Sequence, residues 1–373
     1  MSPESLIPAV DGAGLPAPVW LFHLLLVFTF FLHMVFMNLT LGGTWLAAIA
    51  HALSGGQSSD PRGVLARRMM AVNSYGISLT ITTGVAPLLF IQLLYQQFFY
   101  AATILIGGMW FAFLILLILG YYSAYLYKFR GAPARGTGGG VWLWSSALLF
   151  SVIGATHVAA HLVHAQPGSW VAIAANPWIV LADPTFVPRL LHYLLAGIAF
   201  SGLVMAWWAV RQLGRGVEPE LNRSIASFGW KWALWTTVAQ VVDGFLLLIL
   251  LPQEVLIGLM RGGAATLVPL TIAILLAVGL LVMMARTMDP ADHPALLTGV
   301  LGAMTAVIAV MSITRHQIRA LYLDPYVDLS AFAVRSQWVN FVIFALLLVV
   351  TLVVVAWMVR RVLTSPATGD GAA

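Results

Sequence analysis

An all-α, polytopic membrane fold follows from three features of the chain. Of its 373 residues 61% are hydrophobic and only 8% are charged. The mean hydropathy is +0.94. The apolar residues also gather into nine runs, each long enough to cross a bilayer as a helix. There is no cysteine, which excludes disulfides, iron–sulfur clusters, thiolate-ligated haem and covalently attached haem. The pI near 9.7 does not point to nucleic acid. The Lys and Arg residues are scattered through short loops, where they act as topology signals.

In chain order the expected spans are 18–52, 68–95, 101–127, 141–165, 188–210, 225–251, 266–286, 295–313 and 334–359. The first is long for one crossing and is expected to tilt or project. No basic n-region or cleavage site precedes it, so it reads as an anchor and not as a removable leader. The linkers are short and rich in Gly, Pro and Ser, as in Ser54–Pro61 and Gly131–Gly140. A single integral membrane domain covering 1–373 is expected, without internal repeats.

Orientation follows from the basic residues of alternate loops. One set holds Arg62, Arg67, Arg68, Lys128, Arg130, Arg135, Arg211, Arg215, Arg223, Lys231, Arg286, Arg360 and Arg361; the other holds only Arg189, Arg261, Arg315, Arg319 and Arg335. Thirteen against five sets the first group in the cytoplasm, with the N-terminus outside and the C-terminus inside.

That orientation sorts the histidines. His157, His161 and His164 stand at i, i+4 and i+7, one stripe on one helix face, near the outer end of span four. His192 opens span five, His23 and His33 lie in the outer half of span one, and His316 falls just beyond span eight. Only His51 and His293 fall on the cytoplasmic side. Imidazole within a membrane segment is costly unless it ligates a metal or relays protons. A helix bundle with inward histidines is a natural haem holder. Asp243 is an intramembrane carboxylate and a candidate for proton transfer, or else a hydrogen-bond partner of Gln240 or the Trp-rich helices nearby. Arg315, His316 and Arg319 form either an interfacial basic cluster or a set of donors to haem propionates.

Several segments resemble subunit I of the cytochrome bd quinol oxidases. FLHMVFMNLTLGGTWLAAIAHAL (Phe31–Leu53) resembles that family's first helix, and the resemblance makes His33 a haem ligand. NSYGISLTITTGVAPLLFIQ (Asn73–Gln92) is similar to its second helix without the family's glutamate. VPRLLHYLLAGIAFSGLVMAWWAV (Val187–Val210) is similar to the helix that binds the low-spin haem b, with His192 as ligand. IASFGWKWALWTTVAQVVDG (Ile225–Gly244) is similar to the next, with Asp243 as a counterpart. Nine spans, an outer N-terminus and haems near the outer face are what the resemblance implies.

The departures are as informative. Where the oxidases carry two glutamates in span three, this chain has Gly107 and Ile115. Where the axial Met of the low-spin haem belongs, in span seven, it has Leu275, with Met283 and Met284 toward the other face. TRHQIRALY (Thr314–Tyr322) stands in place of the family's "GRQPW"-like motif, and the long quinol loop shrinks to Pro252–Ala265.

The expected function is therefore a b-type membrane cytochrome, a subunit of a respiratory electron-transfer complex in a bacterial inner membrane. It would hold one to three haem b groups, two being the expectation, on His33 and His192. A second axial ligand would come from His157, His161 or His164. Expected partners are lipid, a second membrane subunit, a c-type cytochrome or other redox protein, and quinol. Alternatives are a bd-type terminal oxidase or nitric oxide reductase subunit, and a non-catalytic partner subunit of a bd-like complex. A transporter would want polar, unwound spans at the midplane, which these spans lack.

Overall fold

The structure is a computed structural model describing residues 6–9, 12, 14–131 and 137–364. Arg135, counted above toward the cytoplasmic face, lies outside the described residues. Twelve α-helices form: α1 (Val19–Leu53), α2 (Pro61–Leu94), α3 (Gln96–Leu105), α4 (Gly107–Leu126), α5 (Gly140–Ala165), α6 (Trp170–Ala175), α7 (Phe186–Leu213), α8 (Pro219–Ile249), α9 (Gln253–Arg261), α10 (Ala264–Met284), α11 (Pro294–Leu323) and α12 (Trp338–Thr364). Among the described residues, nine helices are long and apolar enough to cross a membrane. α3, α6 and α9 are short helices between them. Among the described residues the one β-like contact is a bridge between Leu15 and Val334, which ties the segment before α1 to the segment before α12.

Four expected boundaries move. The span expected over 101–127 is broken at Ile106, whose ψ of 32° leaves the helix. The following Gly107–Gly108 pair is a poor helix continuation. α2 starts at Pro61, not 68: Asp60 caps it by accepting from the Arg62 backbone N–H at 2.8 Å. Arg62, Arg67 and Arg68 thus sit on helical turns, not in a loop. α11 does not stop at 313 but continues to Leu323, so His316 lies inside a helix and not beyond one. An apolar-run criterion ends at the first arginine, whereas the helix continues wherever the bundle accommodates the polar groups. α12 begins at Trp338, four residues after the expected 334.

α1, α7 and α8 form the tightest part of the bundle. A Cβ on Gly42 would lie 1.9 Å from the Gly197 carbonyl oxygen, and one on Gly229 would lie 2.5 Å from that of Gly202. At both crossings backbone rests on backbone, which only small residues permit. Ser201 Oγ donates to the Asn38 carbonyl at 2.9 Å and secures the α1–α7 seam. α12, by contrast, buries none of its described side chains. It touches the bundle at Phe344, whose ring packs 5.3 Å from that of Phe90.

Nine is an odd number of crossings, so the start of α1 and the end of α12 lie at opposite faces of the bundle. One end collects His23, His33, the α5 stripe, His192, Asp243, Arg315 and Arg319. The other end carries the ion pairs: Arg68–Glu218 at 2.6 Å, and Arg223 with Asp289 and Asp292.

Candidate functional site

The start of α7 is fixed by a chain of hydrogen bonds. Gln166 Nε2 donates to Asp183 Oδ2 at 3.0 Å. Asp183 Oδ1 accepts from the Thr185 backbone N–H and hydroxyl. Arg189 Nε donates to Thr185 Oγ1 at 3.0 Å. Arg189 is buried, and its Nη2 has no partner. One turn on, His192 Nδ1 donates to Asp243 Oδ2 of α8 at 3.1 Å. Asp243 is buried, so its partner is this imidazole and not solvent. With the proton at Nδ1, Nε2 carries the lone pair, and Gln240 Nε2 lies 3.4 Å from it.

His192 borders a cavity of about 210 Å³ between α1, α7, α8, α10 and α11. The walls are mostly apolar. Polar groups meeting there include Asn38, Arg189, Gln240 and Arg315, and Met34, Met304 and Met311 line it as well. Arg315 Nε donates to the Tyr193 hydroxyl at 3.0 Å, and its guanidinium lies 4.4 Å from the centre of the Phe30 ring.

A second group of polar residues lies between α1, α2, α5 and α11. His33 Nδ1 donates to the Thr80 carbonyl oxygen at 3.1 Å, leaving Nε2 as an acceptor. Its ring packs so closely on α2 that a Cβ on Gly84 would come within 2.9 Å of Cε1. His157 of the α5 stripe is exposed, and His33, Arg315 and Arg319 act on it electrostatically. His161 and His164 are buried, and both share Arg315 and Arg319 as neighbours. The His164 ring stands edge-on to Tyr95 and Phe98, at 5.8 and 6.2 Å, with both nitrogens unpartnered. Arg319 is 2% exposed and its Nε is unpartnered. His316 Nε2 and His23 Nδ1 share a proton bond of 2.9 Å.

The structure thus sorts the residues expected from sequence into two neighbouring sets. His192 and Asp243 meet directly, a pairing of residues 51 positions apart. None of His33, His157, His161 and His164 lines the His192 cavity; Arg315 and Arg319 are the charged neighbours that the three stripe histidines share. Among the described residues no three His, Asp or Glu side chains converge on a common metal point; a haem asks for one or two axial ligands, not three. Leu275, at the position expected for a methionine, is 65% exposed on the outside of the bundle. Ile115 is 50% exposed.

Sequence reasoning passed over Met34, Met304, Met311, Tyr193 and Arg189 as site residues. A signal existed for α11. Met304, Ile308, Met311, Ser312 and Arg315 recur at i, i+4, i+7, i+8 and i+11, one helix face. All five line the His192 cavity.

The site suits a haem on three counts. Two histidines have Nδ1 tied to an oxygen and a lone pair at Nε2, which in His192 accepts from Gln240 Nε2; an Nδ1 bonded to oxygen is the usual outer-shell arrangement of a metal-ligating imidazole. Buried arginine nitrogens lack partners, and an unpaired buried cation calls for an anionic group. The cavity walls are apolar.

No family model matches the sequence, and no curated protein matches it. Among solved structures it is similar to a chain of the bd oxidase from Geobacillus thermodenitrificans, with a TM-score of 0.78 at 16% identity. The match covers 93% of this chain and 98% of that one. The two folds are therefore coextensive, and this chain has a cytochrome bd-like fold.

Proposed function

We propose that this chain is a b-type membrane cytochrome, a subunit of a respiratory electron-transfer complex. The observation that carries the reading is the His192–Asp243 pair, with Nδ1 and Oδ2 3.1 Å apart at the edge of a largely apolar cavity within the bundle. A haem bound there supplies one-electron transfer. The chain's own residues do the rest. Asp243 holds the His192 proton at Nδ1, keeps Nε2 basic and fixes the ring plane. Arg189 and Arg315 offer charge-assisted donors to carboxylates at the cavity rim. The apolar walls exclude water, which sets the local dielectric and hence the redox potential. Met34, Met304 and Met311 bring thioethers to the same cavity as a source of a second ligand to a haem on His192.

The setting belongs to the same proposal. The membrane is the bacterial cytoplasmic membrane, crossed nine times with the histidine-rich end outside. The electron partners at that end are a quinol or a periplasmic redox protein such as a c-type cytochrome, and a second membrane subunit covers part of the lipid-facing surface. Against an oxygen-reducing role stands α4, which carries no carboxylate between Gly107 and Leu126.

The test is an optical spectrum of the detergent-purified chain, reduced against oxidised, with pyridine haemochrome quantitation. Bands of b-type haem, with one equivalent lost in His192→Ala, are expected. A purified chain without haem after haem-replete expression overturns the reading.

A further inference from the structure

The hydrogen bond between His316 and His23 serves no part of the haem site proposed above, and neither ring lines the His192 cavity. It joins α11 to α1 across 293 positions of sequence, with His316 Nε2 and His23 Nδ1 2.9 Å apart. The ring centres lie 4.8 Å apart and the planes are inclined at 60°. A neutral imidazole carries a proton on one nitrogen and a lone pair on the other, so one proton occupies the space between these two nitrogens.

The two outer nitrogens of the pair differ in setting. His316 Nδ1 is buried in the bundle without a hydrogen-bond partner. Neither nitrogen of His23 is enclosed in that way, and its ring keeps part of its surface. His23 stands near the start of α1, three residues after Trp20, which is 66% exposed. A tryptophan at that place marks the membrane–water interface. The pair thus has a closed end inside the bundle and an open end at the interface. Arg319 acts electrostatically on both rings, and Arg315 acts on His316.

Such a pair has two neutral tautomeric states, and passing between them moves a proton through it. In the first state both rings carry their proton on Nε2, and His316 donates to His23 Nδ1. A proton arriving at His316 Nδ1 sends the Nε2 proton to His23 Nδ1 and releases the His23 Nε2 proton to water. In the second state both rings carry their proton on Nδ1. A proton taken up at His23 Nε2 then sends the His23 Nδ1 proton to His316 Nε2 and the His316 Nδ1 proton inward. Each passage leaves both rings neutral and needs no ring flip.

We infer that His316 and His23 form a reversible proton relay between the bundle interior and the interface. It carries one proton in when the redox centre gains an electron and one out when the electron leaves. The inference rests on the cytochrome reading above. An electron added inside a low-dielectric bundle is an uncompensated buried charge unless a proton follows it. The inner station of that proton is a carboxylate of the bound haem: Arg315, which offers the proposed site a donor for that group, acts on His316 as well.

The experiment uses the full chain, purified in detergent with its haem. A flash-excited ruthenium complex injects one electron, and a pH-indicator dye follows proton uptake beside the haem bands. In the unmodified chain proton uptake should keep pace with haem reduction. His316→Asn keeps a hydrogen-bonding side chain toward His23 but cannot exchange tautomers. It should slow proton uptake about 10²-fold, as loss of a proton-transferring group does, and added imidazole should restore the rate in part. His23→Asn, at the interface, should do the same. Redox-difference infrared spectra of histidine-labelled protein should show both rings protonated on Nε2 in the reduced form and on Nδ1 in the oxidised form. Unchanged proton uptake in both variants, no proton uptake on reduction, or tautomers that do not change with redox state overturns the relay and leaves the cytochrome reading standing. A chain without haem overturns both.

Discussion

An imidazole whose Nδ1 lies 3.1 Å from a buried carboxylate oxygen, as His192 lies from Asp243, keeps its proton there and turns a lone pair outward at Nε2. Among the described residues the carboxylate is also the only negative charge bonded to that ring. In Asp243→Asn the side chain still accepts a hydrogen bond but loses the charge that makes Nε2 a strong donor to a metal. Changes to such outer-shell groups cost about 10–100-fold in metal affinity. The expected result is a correspondingly faster loss of haem from Asp243→Asn to apomyoglobin, with unchanged elution in gel filtration. Equal loss rates for the variant and the unmodified chain would remove Asp243 from the site. The sequence marked Asp243 as functional because a carboxylate within a membrane helix is rare. It pointed to Gln240 or the tryptophans as its partners, since only the fold brings α7 beside α8.

At the scale of helices, the His192–Asp243 distance depends on how closely α7 and α8 approach. Gly202 and Gly229 decide that, because each would place a Cβ within 2.6 Å of the other's carbonyl oxygen. Gly229→Leu must push the helices apart against backbone that cannot yield, so it should cost at least the ~1–3 kcal/mol typical of overpacking. It should also separate His192 from Asp243. Thermal unfolding followed with haem absorbance should show a lower midpoint and early haem release. Leu275→Ala, on the exposed face of α10, serves as the contrast, with an expected change within about 0.5 kcal/mol. Glycines at such crossings are visible in the sequence, but their pairing is not. Gly197 and Gly202 lie on two faces of α7, and each needs a different partner helix.

For the molecule as a whole, the bias of basic residues predicts which end of the bundle faces the cytoplasm. The absence of cysteine makes this directly measurable, since a single introduced thiol is the only one present. Ser58→Cys, in the α1–α2 loop, should react with a membrane-impermeant maleimide only in inverted vesicles. Ala175→Cys, at the end of α6, should react in intact spheroplasts. The reverse pattern would place the histidine-rich end in the cytoplasm and remove a periplasmic electron partner from consideration. Both residues are exposed, so neither substitution disturbs the core.

The sequence by itself determined that this chain is a helical membrane bundle. Hydrophobic runs of bilayer length leave a chain no other way to satisfy its backbone in lipid. It also gathered seven of nine histidines at one end, because helix parity alone fixes which loops share a face. Span limits were legible where apolarity ended the helix, as at Ala165, and illegible where it did not. α11 runs on through Arg315 and His316, to which the fold supplies Tyr193, Phe30 and His23 as partners. What only the tertiary structure decided is the division of the histidines. His192 lines the cavity together with Arg315, whereas His33 and the α5 stripe do not. That division depends on which helix faces which, and helix neighbours are chosen by glycine crossings and buried side-chain contacts far apart in the chain, which no local pattern records.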